Sequence, residues 1–416
     1  MVLSITLRNS LSFRMLKRSR CAVQKFLNLR RYSPNTTETP APILECSRSL
    51  TNPPHIWNQR IFVRHVGSSP ASVEKVSPKK EKLNFPERTV TVYTCQHIYE
   101  KWRKDKSFIY IPQHGVFATV TYIDTHGLRF DINPEKPPKT VMFIHGIPGN
   151  YRVFTRLINE LSRKGFRVIV PTFPATLYLP GLSGEDQLFR HTVEEKAQVF
   201  KDFLKALQIS KLDCIIAHSS AIYPALRLIL DPELEVKADV FFNTGGHTNT
   251  VTMKPYAVVW LYSYLYLHPV GRRFVQKTGK FIMRYILRSP IKDDDFDGIM
   301  LLAITMVFAR VWEAEQQFQE IAKRKIPTLY FFSEDDKVVE RELSYKVVEL
   351  LNAHQENISF YDKYGELERP GKELDWLTLL SFAEGSHYVF RKYPELCAEK
   401  VLAHLKKIED KESCRT

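Results

Sequence analysis

The chain has 416 residues, 44% of them hydrophobic, with a net charge of +14. That apolar fraction supports a sizeable core and excludes a chain disordered throughout. Residues 1–32 carry eight Lys/Arg and no Asp or Glu, so 14 − 8 = +6 remains for the rest, which removes charge as an argument for a nucleic-acid partner.

The basic segment MVLSITLRNSLSFRMLKRSRCAVQKFLNLRRY is rich in Arg and Ser, and basic residues interrupt each apolar run. This is the composition of a mitochondrial transit peptide over 1–32, with processing near Arg31-Tyr32, rather than of a secretory signal. The location expected is mitochondrial, with cytoplasmic as the alternative. Residues 33–88 are dominated by Pro, Ser, Thr and Lys and read as a low-order linker. Six cysteines lie far apart without a C-x-x-C pair, so neither a disulfide framework nor a zinc site is expected.

From residue 89 the pattern changes. TVTVYT at 89–94 and VFATVTYID at 116–124 alternate and are rich in β-branched residues, as strands are. TVMFIH at 140–145 and RVIVPTF at 167–173 are nearly continuous apolar runs, the mark of strands buried on both faces. Between them VFTRLINELSRKG has helical spacing and ends on Gly165 as a C-cap. A helix over 192–207, the strand CIIAH, a helix from Ser220, and strands at 238–244, 327–333 and 376–382 continue the alternation. Such alternation predicts an α/β fold with a mainly parallel sheet between helices. The core is expected over 89–244 and 326–408. Residues 245–325 contain no clear parallel strand and read as a helical cap over the sheet's carboxyl edge.

The strand CIIAH runs into Ser219-Ser220-Ala221, and small residues, Ala217 and Ala221, flank the turn. A sharp strand-to-helix turn needs such residues, and it projects the side chain at its tip, Ser219. Serine needs a base, and the base needs an acid to orient it. After PTLYFFS come Glu334, Asp335 and Asp336; after WLTLLSF comes Gly385-Ser386-His387. His387 is the expected base. Asp336 and Asp335 compete as the acid, and Asp336 is preferred because it sits later in the turn, just before Val338-Val339; Asp335 is then a solvated loop carboxylate. The N–H groups of Ile147 and Ser220 are the expected oxyanion donors. His145, Gly146, His218, Asn243 and His247 are candidate pocket residues, lying at or beside strand carboxyl ends where open α/β sheets bind ligands.

With HGIPG at 145–149, FP at 173–174, AHSSA at 217–221, SEDDKVV at 333–339 and GSH at 385–387, the chain resembles the α/β-hydrolase superfamily over roughly 115–405. The resemblance implies an eight-stranded sheet and a triad of Ser219, His387 and Asp336, and a cap at the site of the helical insertion. It departs from the superfamily in lacking both elbow glycines and in FPATLYLPG, which replaces a glycine-rich loop. The reading is a serine hydrolase of a carboxylic ester or thioester with an apolar acyl part, needing no cofactor and no metal. The alternatives are an inactive binding or scaffold protein, or an acyltransferase. In the cap, YAVVWLYSYLYLH at 256–268 is apolar and aromatic but too short to span a bilayer. Lys277, Lys280, Arg284 and Arg288 recur beside it at helical spacing, which makes peripheral membrane contact through the cap a further expectation.

Overall fold

The computed structural model describes residues 85–105, 111, 113–126, 138–147, 149–172, 189–267, 269–282 and 295–413. The transit peptide, nearly all of the linker, the FP pair with the loop after it, and Arg284 and Arg288 lie outside the described residues.

Ten strands form one sheet. In chain order they are β1 (Glu87–Thr94), β2 (Val116–Asp124), β3 (Thr140–Ile144), β4 (Arg167–Thr172), β6 (Cys214–His218), β8 (Asp239–Phe242), β9 (Thr328–Ser333), β10 (Ile358–Tyr361), β11 (Leu367–Arg369) and β12 (Leu377–Phe382). Two short strands, β5 (Lys211–Leu212) and β7 (Glu235–Val236), pair separately. The spatial order is β1-β2-β4-β3-β6-β8-β9-β12-β10-β11. From β4 to β10 all neighbours pair in parallel; β1–β2, β2–β4 and β10–β11 are antiparallel. The sheet therefore exceeds the eight strands expected. The linker also ends earlier than expected, because β1 starts at Glu87.

Alternation along the central strands sends successive side chains to opposite faces. On β6, Ile215 and Ala217 join one apolar cluster while Cys214 and Ile216 join the other; on β8, Phe241 faces the first, and Val240 and Phe242 the second. Burial on both faces is why these strands read as unbroken apolar runs. The helices that cover the sheet include α1 (Gln96–Lys104), α2 (Thr155–Arg163), α3 (Val193–Ala206), α4 (Ile222–Ile229) and, late in the chain, a long helix over Pro394–Ser413 that extends past the expected end of the core at 408. Gly165 takes φ +89° just after α2, the left-handed residue at which such a helix ends. Thr192 and Glu195 cap the start of α3 reciprocally: Glu195 N–H donates to Thr192 Oγ1, and Thr192 N–H to Glu195 Oε2.

In the stretch 245–325 the elements among the described residues are the helices α5 (Tyr256–Tyr266), α6 (Pro269–Phe281), α7 (Asp295–Val307) and α8 (Glu313–Arg324), besides a short turn of 3₁₀ helix. Helices α5 to α7 share a small core of their own around Tyr266, Val275, Phe296, Met300 and Ile304. The last helix, α8, belongs elsewhere. Its Phe318 and Ile321 are buried in the main core, and Phe318 meets Phe241 of β8 edge-on at 6.2 Å. It is therefore a helix of the layer over the sheet, and the cap proper ends near residue 307 rather than 325.

Candidate active site

Ser219 follows β6 directly and holds φ +57°, the left-handed region that a serine adopts only at a cost of about 1–3 kcal/mol. The surroundings impose that conformation. His218 before it is buried in an extended conformation, and the 3₁₀ turn Ser219–Ala221 leads straight into α4. The close approach that glycines would allow within the turn is supplied instead by the facing loop. A Cβ on Gly146 would lie 2.8 Å from Ser219 Cβ and 3.0 Å from the His218 carbonyl oxygen, so only glycine fits there.

From Ser219 a row of hydrogen bonds runs inward. Ser219 Oγ lies 2.8 Å from His387 Nε2, and His387 Nδ1 lies 2.9 Å from Asp336 Oδ2. All three residues are buried. A hydroxyl, an imidazole and a carboxylate in this order can move the serine proton onto the ring and stabilise the imidazolium that results. Asp336 Oδ1 accepts from the N–H groups of Val338 at 2.8 Å and Val339 at 3.1 Å, while Asn243 Nδ2 donates to Oδ2 at 3.0 Å. With His387, four donors converge on one carboxylate and fix its orientation.

The competing carboxylate has a different task. Asp335 Oδ1 accepts the N–H groups of Gly385 at 2.8 Å and Ser386 at 2.7 Å, the two residues before His387. Asp335 is the exposed loop carboxylate expected from sequence, and it also clamps the histidine loop. Glu334 turns away and accepts from Tyr345 and Ser381.

Of the candidate pocket residues, three serve as supports. Asn243, in the left-handed region at φ 43°, joins Asp336 to the Ser386 carbonyl, to which it donates at 3.1 Å. His218 Nε2 donates to the backbone oxygen of His387 at 2.9 Å, and the two rings lie 4.8 Å apart. Desolvation holds the His218 ring well below the usual histidine range, with the neighbouring His387 acting the same way, so it stays neutral and donates. His145 Nδ1 donates to the Gly146 carbonyl at 2.9 Å, and burial lowers its pKa as well. His247 is half-buried, its Nδ1 without a partner among the described residues. The Ile147 N–H, one of the two expected oxyanion donors, is directed at Ser220 Oγ at 3.2 Å. The roles of Asn243 and His218 were missed in the sequence because each joins loops from strands distant along the chain; the one available signal was that each lies at a strand's carboxyl end.

Among the described residues, no group of three His, Cys, Asp or Glu is arranged to hold a metal, and no helix is long and apolar enough to cross a membrane. Cys95, Cys214 and Cys397 are buried free thiols.

Among solved structures, the chain is similar to a haloalkane dehalogenase loop variant from Bradyrhizobium elkanii (13% identity, 79% of this chain and 100% of that one, TM-score 0.45). It is similar also to a thermophilic esterase from Thermogutta terrifontis (14%, 77% and 99%, TM-score 0.46) and to a bromoperoxidase from Bacillus anthracis (13%, 77% and 100%, TM-score 0.44). A search of curated protein sequences finds no match. A family model spanning residues 122–406, from the end of β2 to the last helix, matches the sequence that carries Ser219, Asp336 and His387 and every strand from β3 onward, and by that match the chain belongs to the family described as alpha/beta hydrolase of unknown function (DUF1057).

Proposed function

We propose that the protein is a serine hydrolase that cleaves a carboxylic ester or thioester with an apolar acyl part. One observation carries the reading: Ser219, strained at φ +57°, is bonded to His387, which is bonded to Asp336. In this mechanism Ser219 Oγ attacks the substrate carbonyl while His387 Nε2 takes its proton. The tetrahedral oxyanion is held by the N–H groups of Ile147 and Ser220, the former released from Ser220 Oγ. As the C–O or C–S bond breaks, the proton passes from His387 to the departing alkoxide or thiolate. Water, deprotonated by His387, then attacks the acyl-serine ester and frees the acid and Ser219. Asp336 keeps the imidazole in the tautomer that presents Nε2 to the serine. An acyl acceptor other than water would turn the same intermediate to transfer, and a silent scaffold would have no use for a strained serine in contact with a histidine.

The test is turnover of p-nitrophenyl esters and acyl thioesters of increasing chain length. The reading expects hydrolysis that strengthens from acetate to medium-chain acyl groups; turnover of none of them, with no reaction of Ser219 toward a fluorophosphonate, would contradict it.

A second element of the reading concerns the cap. Val270, Phe274 and Phe281 on α6 are 74%, 55% and 56% exposed, and exposed Arg273 and Lys277 lie on the same helix. Val258 and Leu261 on α5 are also exposed. Such a face supports transient contact with an anionic membrane surface. Phe274→Asp with Lys277→Glu is expected to abolish co-flotation with phosphatidylserine vesicles while leaving turnover of soluble esters intact; unchanged flotation would exclude the cap. Residues 1–32 support mitochondrial import by their charge, and N-terminal sequencing of the cellular protein checks it, an intact Met1 contradicting removal.

A further inference from the structure

Ser220 brings two groups to the oxyanion loop. Its backbone N–H is one of the two donors assigned to the oxyanion. Its side-chain oxygen accepts from the other, the Ile147 N–H, at 3.2 Å. An N–H directed at a hydroxyl is not directed at a carbonyl. The second donor is therefore already occupied, by a side chain of the same turn that carries the nucleophile.

This bond is easily exchanged. At 3.2 Å it lies at the long end of the range for N–H···O bonds, and both partners are neutral. A bond to an ionised oxygen is roughly twice as strong as one between neutral groups. A substrate carbonyl is neutral and competes with the hydroxyl on nearly equal terms, whereas the oxyanion of the tetrahedral intermediate outcompetes it. The hydroxyl thus withholds the Ile147 N–H from the bound ester and yields it to the intermediate.

For the exchange one partner must move, and the loop is packed tight. A Cβ added to Gly146 would lie 2.8 Å from Ser219 Cβ, and the Gly146 carbonyl is held by His145 Nδ1 at 2.9 Å. A Cβ on Gly149 would meet that same carbonyl oxygen at 2.5 Å. The hydroxyl has room instead. Beside it lies a small cavity of about 20 Å³, lined by Ser220, Ile147, His145 and Lys196 with Ile144 and Phe200 as apolar walls. That volume admits one oxygen-sized atom. Rotation about the single Cα–Cβ bond carries a serine oxygen from one staggered position to the next.

We propose that Ser220 is a positioning residue whose hydroxyl holds the place of the oxyanion in the resting site, occupying the Ile147 N–H until Ser219 attacks and then turning into the cavity to release it. This rests on the ester-hydrolysis reading above. The covalent steps are unchanged: one hydrogen bond, from the Ile147 N–H to Ser220 Oγ, breaks, and one from the same N–H to the former carbonyl oxygen forms. The consequence is selectivity for the transition state. A donor that binds ground state and transition state alike only tightens substrate binding, whereas one engaged in the transition state alone speeds the chemical step. With the Ser220 hydroxyl present, the Ile147 donor is of the second kind; without it, of the first.

The experiment compares full-length wild type with Ser220→Ala in three measurements: steady-state hydrolysis of p-nitrophenyl butyrate, inhibition by butylboronic acid, and the Ile147 amide proton resonance of protein isotope-labelled at isoleucine. Butylboronic acid forms a tetrahedral adduct on a reactive serine and sets an oxygen in the place of the oxyanion. Ser220→Ala is expected to raise kcat/KM by about two- to fivefold through a lower KM, with kcat within about twofold, and to tighten boronate binding by about the same two- to fivefold. The Ile147 amide proton should move downfield when boronate binds the wild type, and should lie upfield of its wild-type position in free Ser220→Ala. A merely structural hydroxyl would give the opposite sign, so lower kcat/KM and weaker boronate binding in Ser220→Ala would overturn the proposal. So would unchanged values of both, and so would an Ile147 resonance indifferent to the substitution. If the wild type neither hydrolyses the ester nor takes a fluorophosphonate at Ser219, the ester-hydrolysis reading fails and this inference with it; a reactive Ser219 alongside an indifferent Ser220→Ala removes this inference alone.

Discussion

At the carboxyl edge of the sheet, each side chain of the serine–histidine–aspartate row is held from another loop: Ser219 by His387, His387 by Asp336 and through its backbone by His218, and Asp336 by Asn243. In the cap, α5 to α7 close on a small core around Tyr266 and Met300, and turn Val258, Leu261, Val270 and Phe274 outward. The edge is preorganised by polar bonds between distant segments; the cap is organised by local apolar packing and is joined to the edge by the Lys196–Thr305 bond and by the packing of Val259 and Trp260 on the main core. A site that must hold reacting atoms to within fractions of an ångström needs the first kind of order.

The sharpest way to break this comparison is at the edge. Asp336→Asn should lower kcat by about 10⁴-fold, because an amide neither stabilises the imidazolium nor fixes its tautomer. Asp335→Asn should stay close to wild type, since its amide oxygen still accepts the Gly385 and Ser386 N–H groups, while Asp335→Ala should lose about tenfold as the histidine loop loosens. Steady-state kinetics with one soluble ester separates the three. Comparable losses in Asp336→Asn and Asp335→Asn would mean that neither carboxylate is specifically coupled to His387. Next in size is Gly146→Ala. Its Cβ would press on Ser219 Cβ and on the His218 carbonyl, so the serine must shift, and kcat/KM should fall by about 10²-fold. Cap substitutions such as Phe274→Asp should leave the same measurement unchanged.

The buried histidines make the edge and its supporting layers acid-sensitive. Desolvation lowers His404 to about 4 and holds His218 well below its usual range, so both are neutral when folded. Below about pH 6.5 the unfolded chain binds protons that the folded chain refuses, and stability falls as pH drops from there toward the His404 value. The slope is about 1.4 kcal/mol per pH unit for each such group. Denaturant unfolding at pH 7 and pH 5 checks it, and His404→Leu should flatten the dependence. The smallest expected effect is Ser220→Ala. It frees the Ile147 N–H from a 3.2 Å bond to the Ser220 hydroxyl, and turnover should stay within about fivefold of wild type.

Ser219, Asp336 and His387 were legible in the sequence because their strands are. An unbroken apolar run such as CIIAH or TLYFFS marks a strand covered on both faces, and the residues just beyond it fall at the sheet's edge. That reasoning brought Ser219, Asp336 and His387 to one place, and the alternation of strands and helices gave the family's fold. It did not give the supports. Asn243 bonds to Asp336, 93 residues away, and His218 to His387, 169 residues away, and no local pattern encodes such pairings. The edge strand β11 and its neighbour β10 were missed because they are short and partly exposed, without the apolar run that marks the centre. Helix α8 was placed in the cap because an amphipathic helix reads the same whether it covers a sheet or a lid. Lys196 sits amid the helical periodicity of α3 and looks, in sequence, like one more solvated cation.

The central claim is that Ser219 is an activated nucleophile. The direct measurement is fluorophosphonate labelling of the full-length protein, with the adduct located by peptide mass spectrometry. An activated Ser219 gives one adduct, on Ser219, absent in Ser219→Ala, slowed in Asp336→Asn and retained in Ser220→Ala. No adduct, or an adduct on Ser220 that survives Ser219→Ala, would contradict it.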